Sequence, residues 1–383
     1  MHTIAITGDG RVWTWGVNDE GALGRHAKSS NQYTIGMKPD SAASQANNVS
    51  ETVPGLVAIP DASKAVMGVA GDSHSFVLLE SGVVFGWGAF RNSSGVFGFD
   101  PNTKIQKTPA KVAFPGFGTR ITEIASGSDH AMALDSQGGV FSWGCAEKGR
   151  LGRLGEDAAD KSPKEDPGVA GYSLTPAKVT LPTIKKIACG FFCSFALTDG
   201  GVLYGWGINN YGQLGVKDEG PFYAPQKLDA LSNAGIDAIS SGEHHTLALT
   251  KAGKVLSFGR PTYGRLGRAD VDAGKDAFVH EAEPVAGITG RAASVATGIA
   301  VSGAVTTDGK AYVWGYGTTG QLGKANDEED ENLPYLLATK RLKRMSVIKL
   351  SFGGQHSALI ATHANVGAGE DAQGGKLKKR ART

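Results

Sequence analysis

Six segments of the chain alternate apolar and polar residues, end in a Trp-Gly or Phe-Gly pair, and reach a second apolar-Gly pair eight or ten residues later. They read VWTWGVNDEGALG (12–24), VFGWGAFRNSSGVFG (84–98), VFSWGCAEKGRLG (140–152), LYGWGINNYGQLG (203–215), VLSFGRPTYGRLG (255–267) and YVWGYGTTGQLG (312–323). The first marker glycine recurs at intervals of 52 to 72 residues, at Gly16, Gly88, Gly144, Gly207, Gly259 and Gly315. Strand patterning repeated at such a period predicts a β-propeller.

A second motif occurs seven times: a Gly, two variable residues, a His, a small residue and an apolar strand. The repeated histidine position is occupied by His2, His74, His130, Cys193, His245, Val301 and His356. Because Cys and Val also stand there, we interpret the position as one of packing or a local hydrogen bond, rather than catalysis or metal binding.

Short polar turns such as GDG (8–10) and TDGK (307–310) lie between the two motifs and supply the positive φ that a tight hairpin needs. Each unit is therefore predicted to hold four strands: a short strand ending at Gly, the histidine strand, the Trp-Gly strand, and a strand that follows Pro after a long loop. The Trp ring is expected to fill the gap between adjacent blades.

Seven histidine strands but only six Trp-Gly strands leave one blade incomplete. We expect an all-β, seven-bladed propeller of four-stranded blades over residues 1–362, its closing blade lacking the N-terminal half, and a disordered basic tail over residues 363–383. An open sheet edge is an aggregation hazard, so we expect a shortened reading frame that lacks roughly one repeat.

The composition agrees with a globular chain, with 40% hydrophobic and 20% charged residues among 383 and 55 glycines to make turns. No apolar run approaches the ~20 residues of a membrane helix, and no signal peptide opens the chain. We expect an intracellular protein. Its three cysteines, Cys145, Cys189 and Cys193, lack a Cys-His quartet and favour free thiols over a zinc site.

The repeats resemble those of the regulator of chromosome condensation family, the nuclear guanine nucleotide exchange factors for the small GTPase Ran, from residue 1 to about residue 361. Generic repeats of the superfamily share the Trp-Gly and Leu-Gly pairs. More specific strings stand in the expected blade order: VNDEGALGR (17–25), AGDSH (70–74), WGAFRNSSGVFG (87–98), SGSDH (126–130), SGEHHT (241–246), YGRLG (263–267) and SFGGQH (351–356).

The residues just before the repeated histidine position differ from blade to blade, among them Asp72, Asp129 and His244. Such loop residues are free to contact a partner, although solvated loop charges would give the same pattern. The resemblance implies that these positions line a GTPase-binding face, with Asp129 and His244 needed for exchange and Asp72 beside them.

The second copy of the Trp-Gly segment carries two extra residues and ends in Val-Phe-Gly, which predicts a small protruding hairpin. A tolerated surface insertion would explain it equally. The resemblance implies instead a wedge pushed against the GTPase near its nucleotide, made of Phe90, Arg91, Asn92, Ser93, Ser94, Gly95, Val96 and Phe97.

No phosphate-binding loop, Ser-His-Asp motif or metal motif is recognisable, so we expect an exchange factor without covalent chemistry, cofactor or metal. The resemblance implies Ran as partner, a nuclear location and chromatin association; we expect a monomer without membrane contact. The alternative is a non-catalytic scaffold propeller of the same superfamily.

Two charged segments bear on the prediction of chromatin contact. The tail carries five basic residues suited to nuclear import or phosphate contact, or to a solubilising tail: Lys376, Lys378, Lys379, Arg380 and Arg382. Residues 153–175 are acidic and mixed where the family uses a basic loop against nucleosomes, and the net charge is only +2. Residues 26–52 and 268–283 are expected to be mobile surface loops, and residues 326–332 an acidic rim or a solvated stretch.

Overall fold

The structure is a computed structural model and describes residues 2–26, 50–161, 165–274, 278–324 and 329–363. In these residues the chain is all-β, with antiparallel sheets and a few short helices. No helix in this part of the chain is long and apolar enough to cross a membrane.

The first three sheets follow one another along the chain. Sheet 1 contains β1 (His2–Ile6), β2 (Val12–Gly16) and β3 (Gly55–Val57). Sheet 2 contains β4 (Ala65–Ala70), β5 (His74–Leu79) and β6 (Val84–Gly88); then a separate hairpin of β7 (Phe90–Asn92) and β8 (Gly95–Gly98) intervenes before the sheet's last strand, β9 (Gln106–Lys111). Sheet 3 contains β10 (Ile121–Ser126), β11 (His130–Asp135), β12 (Val140–Gly144) and β13 (Ala177–Lys178).

The remaining sheets repeat the pattern. Sheet 4 contains β14 (Ile184–Cys189), β15 (Cys193–Thr198), β16 (Leu203–Ile208) and β17 (Pro221–Lys227). Sheet 5 contains β18 (Ile236–Ser241), β19 (His245–Thr250), β20 (Val255–Gly259) and β21 (Val279–Pro284). Sheet 6 contains β22 (Ala292–Thr297), β23 (Val301–Thr306), β24 (Ala311–Gly315) and β25 (Glu331–Leu336), and sheet 7 contains β26 (Met345–Phe352) and β27 (Ser357–His363).

Each four-stranded sheet is an antiparallel meander whose second and third strands are the two predicted motifs. The repeated histidine position lies opposite the glycine of the Trp-Gly or Phe-Gly pair, as in the pairing of His130 with Gly144 and of His245 with Gly259. The fourth strand lies at the sheet edge. The prediction of a strand after Pro is confirmed for β3 and β13, which follow Pro54 and Pro176. It needs correction for β9 and β25, because Pro109 and Pro334 lie inside these strands, where an edge strand tolerates the missing N–H.

The core lies between successive sheets, as predicted from the Trp-Gly strands. Four Trp rings are at most 2% exposed: Trp87, Trp143, Trp206 and Trp314. Three of them also hydrogen-bond to the preceding sheet. The indole Nε1–H of Trp206 donates to the carbonyl of Arg150 at 3.0 Å, and those of Trp87 and Trp314 donate to the carbonyls of Ala22 and Arg265.

The same carbonyls accept a second hydrogen bond from a buried hydroxyl of the next sheet. Ser194 Oγ donates to the Arg150 carbonyl at 3.1 Å, and Ser302 Oγ donates to the Arg265 carbonyl at 2.7 Å. Buried polar groups need such partners. The turn before each of these Leu-Gly pairs is thereby joined to the sheet that follows it.

Two predicted loops contain regular structure. Residues 153–175 include α1 (Glu156–Ala159) and α2 (Val169–Leu174), and Arg153 Nη2 donates to the carbonyl of Tyr172 at 2.7 Å. The predicted mobile loop 268–283 is wrong at its end, because Val279–Pro284 pairs with β20. A third helix, α3 (Asp229–Ser232), precedes sheet 5. Residues 27–49, 275–277 and 325–328 of the predicted loops lie outside the described residues.

Candidate functional site: one face of sheets 1 to 5

Four loops that connect the first and second strands of sheets 2 to 5 lie side by side; we call them the inner loops (residues 71–73, 127–129, 190–192 and 242–244). Backbone hydrogen bonds join each to the next. The N–H of Asp72 donates to the carbonyl of Ser128 at 2.9 Å, and that of Ser128 donates to Phe191 at 3.1 Å. The N–H of Phe191 in turn donates to Gly242 at 3.1 Å. The loops that carry Asp72, Asp129 and His244 therefore share one end of the sheets.

The loops after the Trp-Gly strands lie at the same end. The N–H of Cys145 donates to the carbonyl of Asp129 at 2.7 Å, and that of Arg260 donates to the carbonyl of His244 at 2.8 Å. Gly144 makes the close approach possible: its φ is +113°, and a Cβ there would lie 2.7 Å from the Asp129 carbonyl oxygen. Each of these two inner loops is thus held against the loop that leaves the third strand of its own sheet.

The predicted hairpin is present at this end, with its turn between Asn92 and Gly95, which pair across it. Phe90 anchors its base: the ring is fully buried and its centroid lies 4.4 Å from that of His74. Val96 and Phe97 are half-buried, while Ser93 and Ser94 are exposed. The hairpin therefore stands on the core of sheets 2 and 3 and presents its turn to solvent.

Asp129 holds the start of the hairpin from the neighbouring sheet. Its Oδ1 accepts a hydrogen bond from the backbone N–H of Arg91 at 2.8 Å. The Arg91 guanidinium then pairs with Glu20 in the turn of sheet 1, with Nη1 3.0 Å from Oε1. The carboxylate of Asp129 is therefore engaged with the hairpin.

The turn of the hairpin is held by a second carboxylate. Glu147, in the turn after β12, accepts hydrogen bonds from the Ser93 N–H at 3.1 Å to both of its oxygens and from Ser93 Oγ at 2.6 Å. Hydrogen bonds to ionised acceptors are stronger than those between neutral groups. Neither Glu20 nor Glu147 stands out in the sequence, because both lie in turns that match the common repeat.

The acidic groups of the inner loops are harder to ionise than free carboxylates. Burial raises the pKa of Asp129 to about 6; the Arg91 N–H opposes that rise and the charge of Asp72 adds to it. Asp72 is exposed, yet the protein around its carboxylate desolvates it and raises its pKa, while Arg91 and Arg150 lower it. Perturbed titration in adjacent groups is typical of functional sites.

His244 lies farther along the same face, where its Nδ1 is 3.5 Å from Glu243 Oε2 and its ring contacts an aromatic side chain. Its ring meets that of Tyr211 edge to face, with centroids 4.4 Å apart. The guanidinium of Arg260 lies 4.8 Å above the same Tyr211 ring. A neighbouring pair repeats the pattern, with Arg265 over Tyr263 at 5.4 Å. No sequence signal marks Tyr211 or Arg260, whose loops match the common repeat.

Four of the five histidines at the repeated position, His2, His74, His130 and His245, are buried in contacts between sheets, in agreement with the structural interpretation, whereas His356 is half-buried. His130 Nε2 lies 2.9 Å from Ser194 Oγ, and His245 Nε2 lies 2.8 Å from Ser302 Oγ. Burial lowers the pKa of His130 to about 3 and that of His245 well below its usual value. These two rings are neutral at physiological pH and lie beneath the face.

The predicted site residues are only partly brought together. Asp72, Asp129 and the hairpin adjoin one another, whereas His244 is two sheets further along the same chain of inner loops. Five predicted basic residues of the tail lie outside the described residues: Lys376, Lys378, Lys379, Arg380 and Arg382. In the predicted acidic rim, Glu331 pairs with Lys324 at 2.6 Å.

The face carries carboxylate, guanidinium, imidazole and aromatic side chains. In the described part of the chain no group of three or more His, Cys, Asp or Glu side chains is placed to hold a metal ion. Burial raises the pKa of Cys193 to about 11 and that of Cys145 to about 12, so neither thiol is a thiolate at neutral pH.

The profile of the RCC1-like domain family matches residues 1–359. The chain is 35% identical over 370 residues to the "Regulator of chromosome condensation" of Mus musculus, covering 94% of this chain and 80% of that protein. It is 33% identical to the "Guanine nucleotide exchange factor SRM1" of Saccharomyces cerevisiae, covering 93% and 76%. The solved structure of Prp20p from Saccharomyces cerevisiae, described with its binding properties to Gsp1p and histones, has a TM-score of 0.81 at 32% identity and covers 96% of this chain and 81% of that one.

Proposed function

The chain belongs to the RCC1-like domain family, and on that premise we propose that it is a guanine nucleotide exchange factor that promotes GDP release from a nuclear small GTPase of the Ran type. The names of its relatives support the reaction class. The observation that carries the proposal is the hairpin of β7 and β8. Asp129 binds the start of this hairpin, on the face that also bears Asp72 and His244.

The reaction needs no covalent step. A protein that binds the nucleotide-free GTPase more tightly than the GDP-loaded form must weaken GDP binding by the same factor. Contacts that are equally strong with the nucleotide-free and the GDP-loaded GTPase bind the partner but do not promote GDP release. The element that drives release is one that fits the GTPase only after its nucleotide site is disturbed.

We assign that element to the hairpin, the wedge of residues 90–97. Its exposed turn projects from a base that is fixed by Phe90 in the core. Asp129 holds the wedge through the Arg91 N–H and, with Asp72, places negative charge at its foot. His244, supported by Tyr211, is assigned to a contact with the GTPase farther along the face.

We also infer that the seven sheets are seven blades of a propeller ring, closed by sheets 1 and 7. Six follow one another with three or four strands each, and the seventh has two in the described residues. Burial, together with a smaller effect of the charge of His356 beside β27, lowers the pKa of His2 in β1 to about 3. A ring of six blades in a crystal structure would contradict this arrangement.

The protein is proposed to act in the nucleus in association with chromatin. The names of the mouse relative and of the yeast structure point to chromosomes and histones. Residues 153–175 are negatively charged at α1, which begins with Glu156 and Asp157. DNA phosphates repel this negative charge. Nucleosome contact is therefore assigned to other surfaces of the chain.

The test is stopped-flow release of fluorescent GDP from Ran, paired with pull-down of nucleotide-free and GDP-loaded Ran. The unmodified protein should accelerate release. Replacement of residues 92–95 by a two-residue turn, with Arg91 retained, should abolish acceleration and preserve weak binding. Release at the unmodified rate would refute the wedge assignment. Failure of the unmodified protein to accelerate release would favour the scaffold alternative.

A further inference from the structure

We propose that Glu147 and Glu20 are positioning residues that clamp the wedge from the two neighbouring sheets and hold it rigid before the GTPase arrives. The inference rests on the proposed exchange function and extends it to residues outside the predicted site. Glu147 comes from the turn of sheet 3 and Glu20 from the turn of sheet 1, so the hairpin stands between them.

The hairpin needs external support. Its strands have three and four residues, and their register shifts between Phe90 and Arg91. An isolated two-stranded hairpin of any kind is marginally stable in water. Phe90 fixes only the base, so the turn at Ser93 and Ser94 would move if nothing else contacted it.

Glu147 supplies that support at the turn, and Glu20 supports the first strand of the hairpin through Arg91. Glu147 binds both the backbone N–H and the hydroxyl of Ser93, at 2.6 to 3.1 Å. Glu20 pairs with Arg91 while its own side chain is only 12% exposed. A backbone donor bound to both carboxylate oxygens fixes the direction of the turn as well as its distance from sheet 3.

Rigidity has a kinetic consequence. An element ordered on binding costs free energy that is lost from the interaction, whereas a preorganised element does not. If the wedge acts only on the nucleotide site, a loosened wedge lowers the maximal release rate, and the contacts of the inner loops still set the GTPase concentration that gives half-maximal rate. A clamp residue should therefore change kcat and leave KM nearly unchanged.

The experiment combines exchange kinetics with the mobility of a spin label on Ser94→Cys in the full chain, with the background from the three native cysteines measured on the protein that lacks Ser94→Cys. We expect Glu147→Ala to increase label mobility and to lower kcat about 10-fold, which is about 1.4 kcal/mol, with KM changed less than about 2-fold. Glu147→Gln retains an acceptor oxygen and should recover most of the rate. Glu20→Ala should also increase label mobility and lower kcat, and Asp19→Ala, in the turn of sheet 1 beside Glu20, is its matched control and should resemble the unmodified protein.

The two measurements separate the outcomes. Unchanged label mobility in Glu147→Ala would overturn the clamp whether or not the protein is an exchange factor. Increased mobility with an unaltered kcat would overturn the link between rigidity and release. If the unmodified protein does not accelerate release, the proposed exchange function fails, and so does the kinetic part of this inference.

Discussion

Replacement of Asp129 by Asn separates the contribution of this residue to nucleotide exchange from its effect on the free energy of unfolding. The substitution keeps the shape of the side chain and an oxygen that can accept the Arg91 N–H, which now lies 2.8 Å from Oδ1. It removes the charge. In the native protein that charge is disfavoured, because burial raises the pKa of Asp129 to about 6 from an ordinary value of 3.8.

The sign of the effect follows from proton binding. Between pH 4 and pH 6 the folded protein retains a proton on Asp129 that the unfolded chain has released, so the free energy of unfolding falls as the pH rises through this range. A shift of about two units corresponds to roughly 3 kcal/mol at 1.36 kcal/mol per unit. The Asn amide needs a new partner of its own, which costs about 1–2 kcal/mol. We expect a net gain on the order of 1 kcal/mol at pH 7.5 and none at pH 4.5.

Urea unfolding across pH 4.5 to 8, together with GDP release at pH 7.5, measures both effects. The difference in unfolding free energy between variant and unmodified protein should rise until about pH 6 and then stay constant, while release becomes slower. Asp199→Asn, at an exposed carboxylate paired with Lys185, is the control and should leave both nearly unchanged. A variant destabilised equally at every pH would refute the reasoning, because the buried charge of Asp129 could not then be what destabilises the native fold.

Two further pairs of substitutions test contacts in the fold and in the site. His130→Ala should lower the free energy of unfolding by about 2–4 kcal/mol, since it leaves a cavity and removes the buried hydrogen bond to Ser194 Oγ. His244→Ala should slow GDP release with little change in melting temperature; equal melting losses would contradict the distinction. Gly152→Ala would place a Cβ 2.6 Å from Trp206 Nε1 at a φ of +65° and should lower the melting temperature by several degrees, while Gly201→Ala, with a φ of +85° and nothing within 4 Å, should cost only backbone strain. Thermal unfolding measures both glycine variants. A similar loss of melting temperature in the two would exclude the Trp206 contact as the cause.

The repeat pattern predicted the strands because strand periodicity and turn glycines are local properties of the sequence. Trp206, followed by Gly207, marks the third strand of its sheet, and the interchange of His130 with Cys193 correctly indicated a structural position. The hairpin was predictable for the same reason: residues 90–98 break the spacing that the other copies keep.

The contacts that define the site were not predictable in this way. Asp129 and Arg91 are 38 residues apart, and Ser93 and Glu147 are 54 apart, so their meeting depends on how sheets 2 and 3 are placed. Nothing in the spacing of repeats specifies that placement. The helices α1 and α2 were missed because they have only four and six residues within a polar insertion, too few to show a period.

The junction between sheets is made by main-chain atoms. The carbonyl groups of Ala22, Arg150 and Arg265 receive the indole N–H of the next sheet, and the same contact is made whether the side chain is a small alanine or a long, charged arginine. Any residue supplies the same carbonyl. These turns therefore keep their place in space whatever side chain they carry, and a protein of this design can acquire a new binding surface there without rebuilding the joints that hold its sheets together.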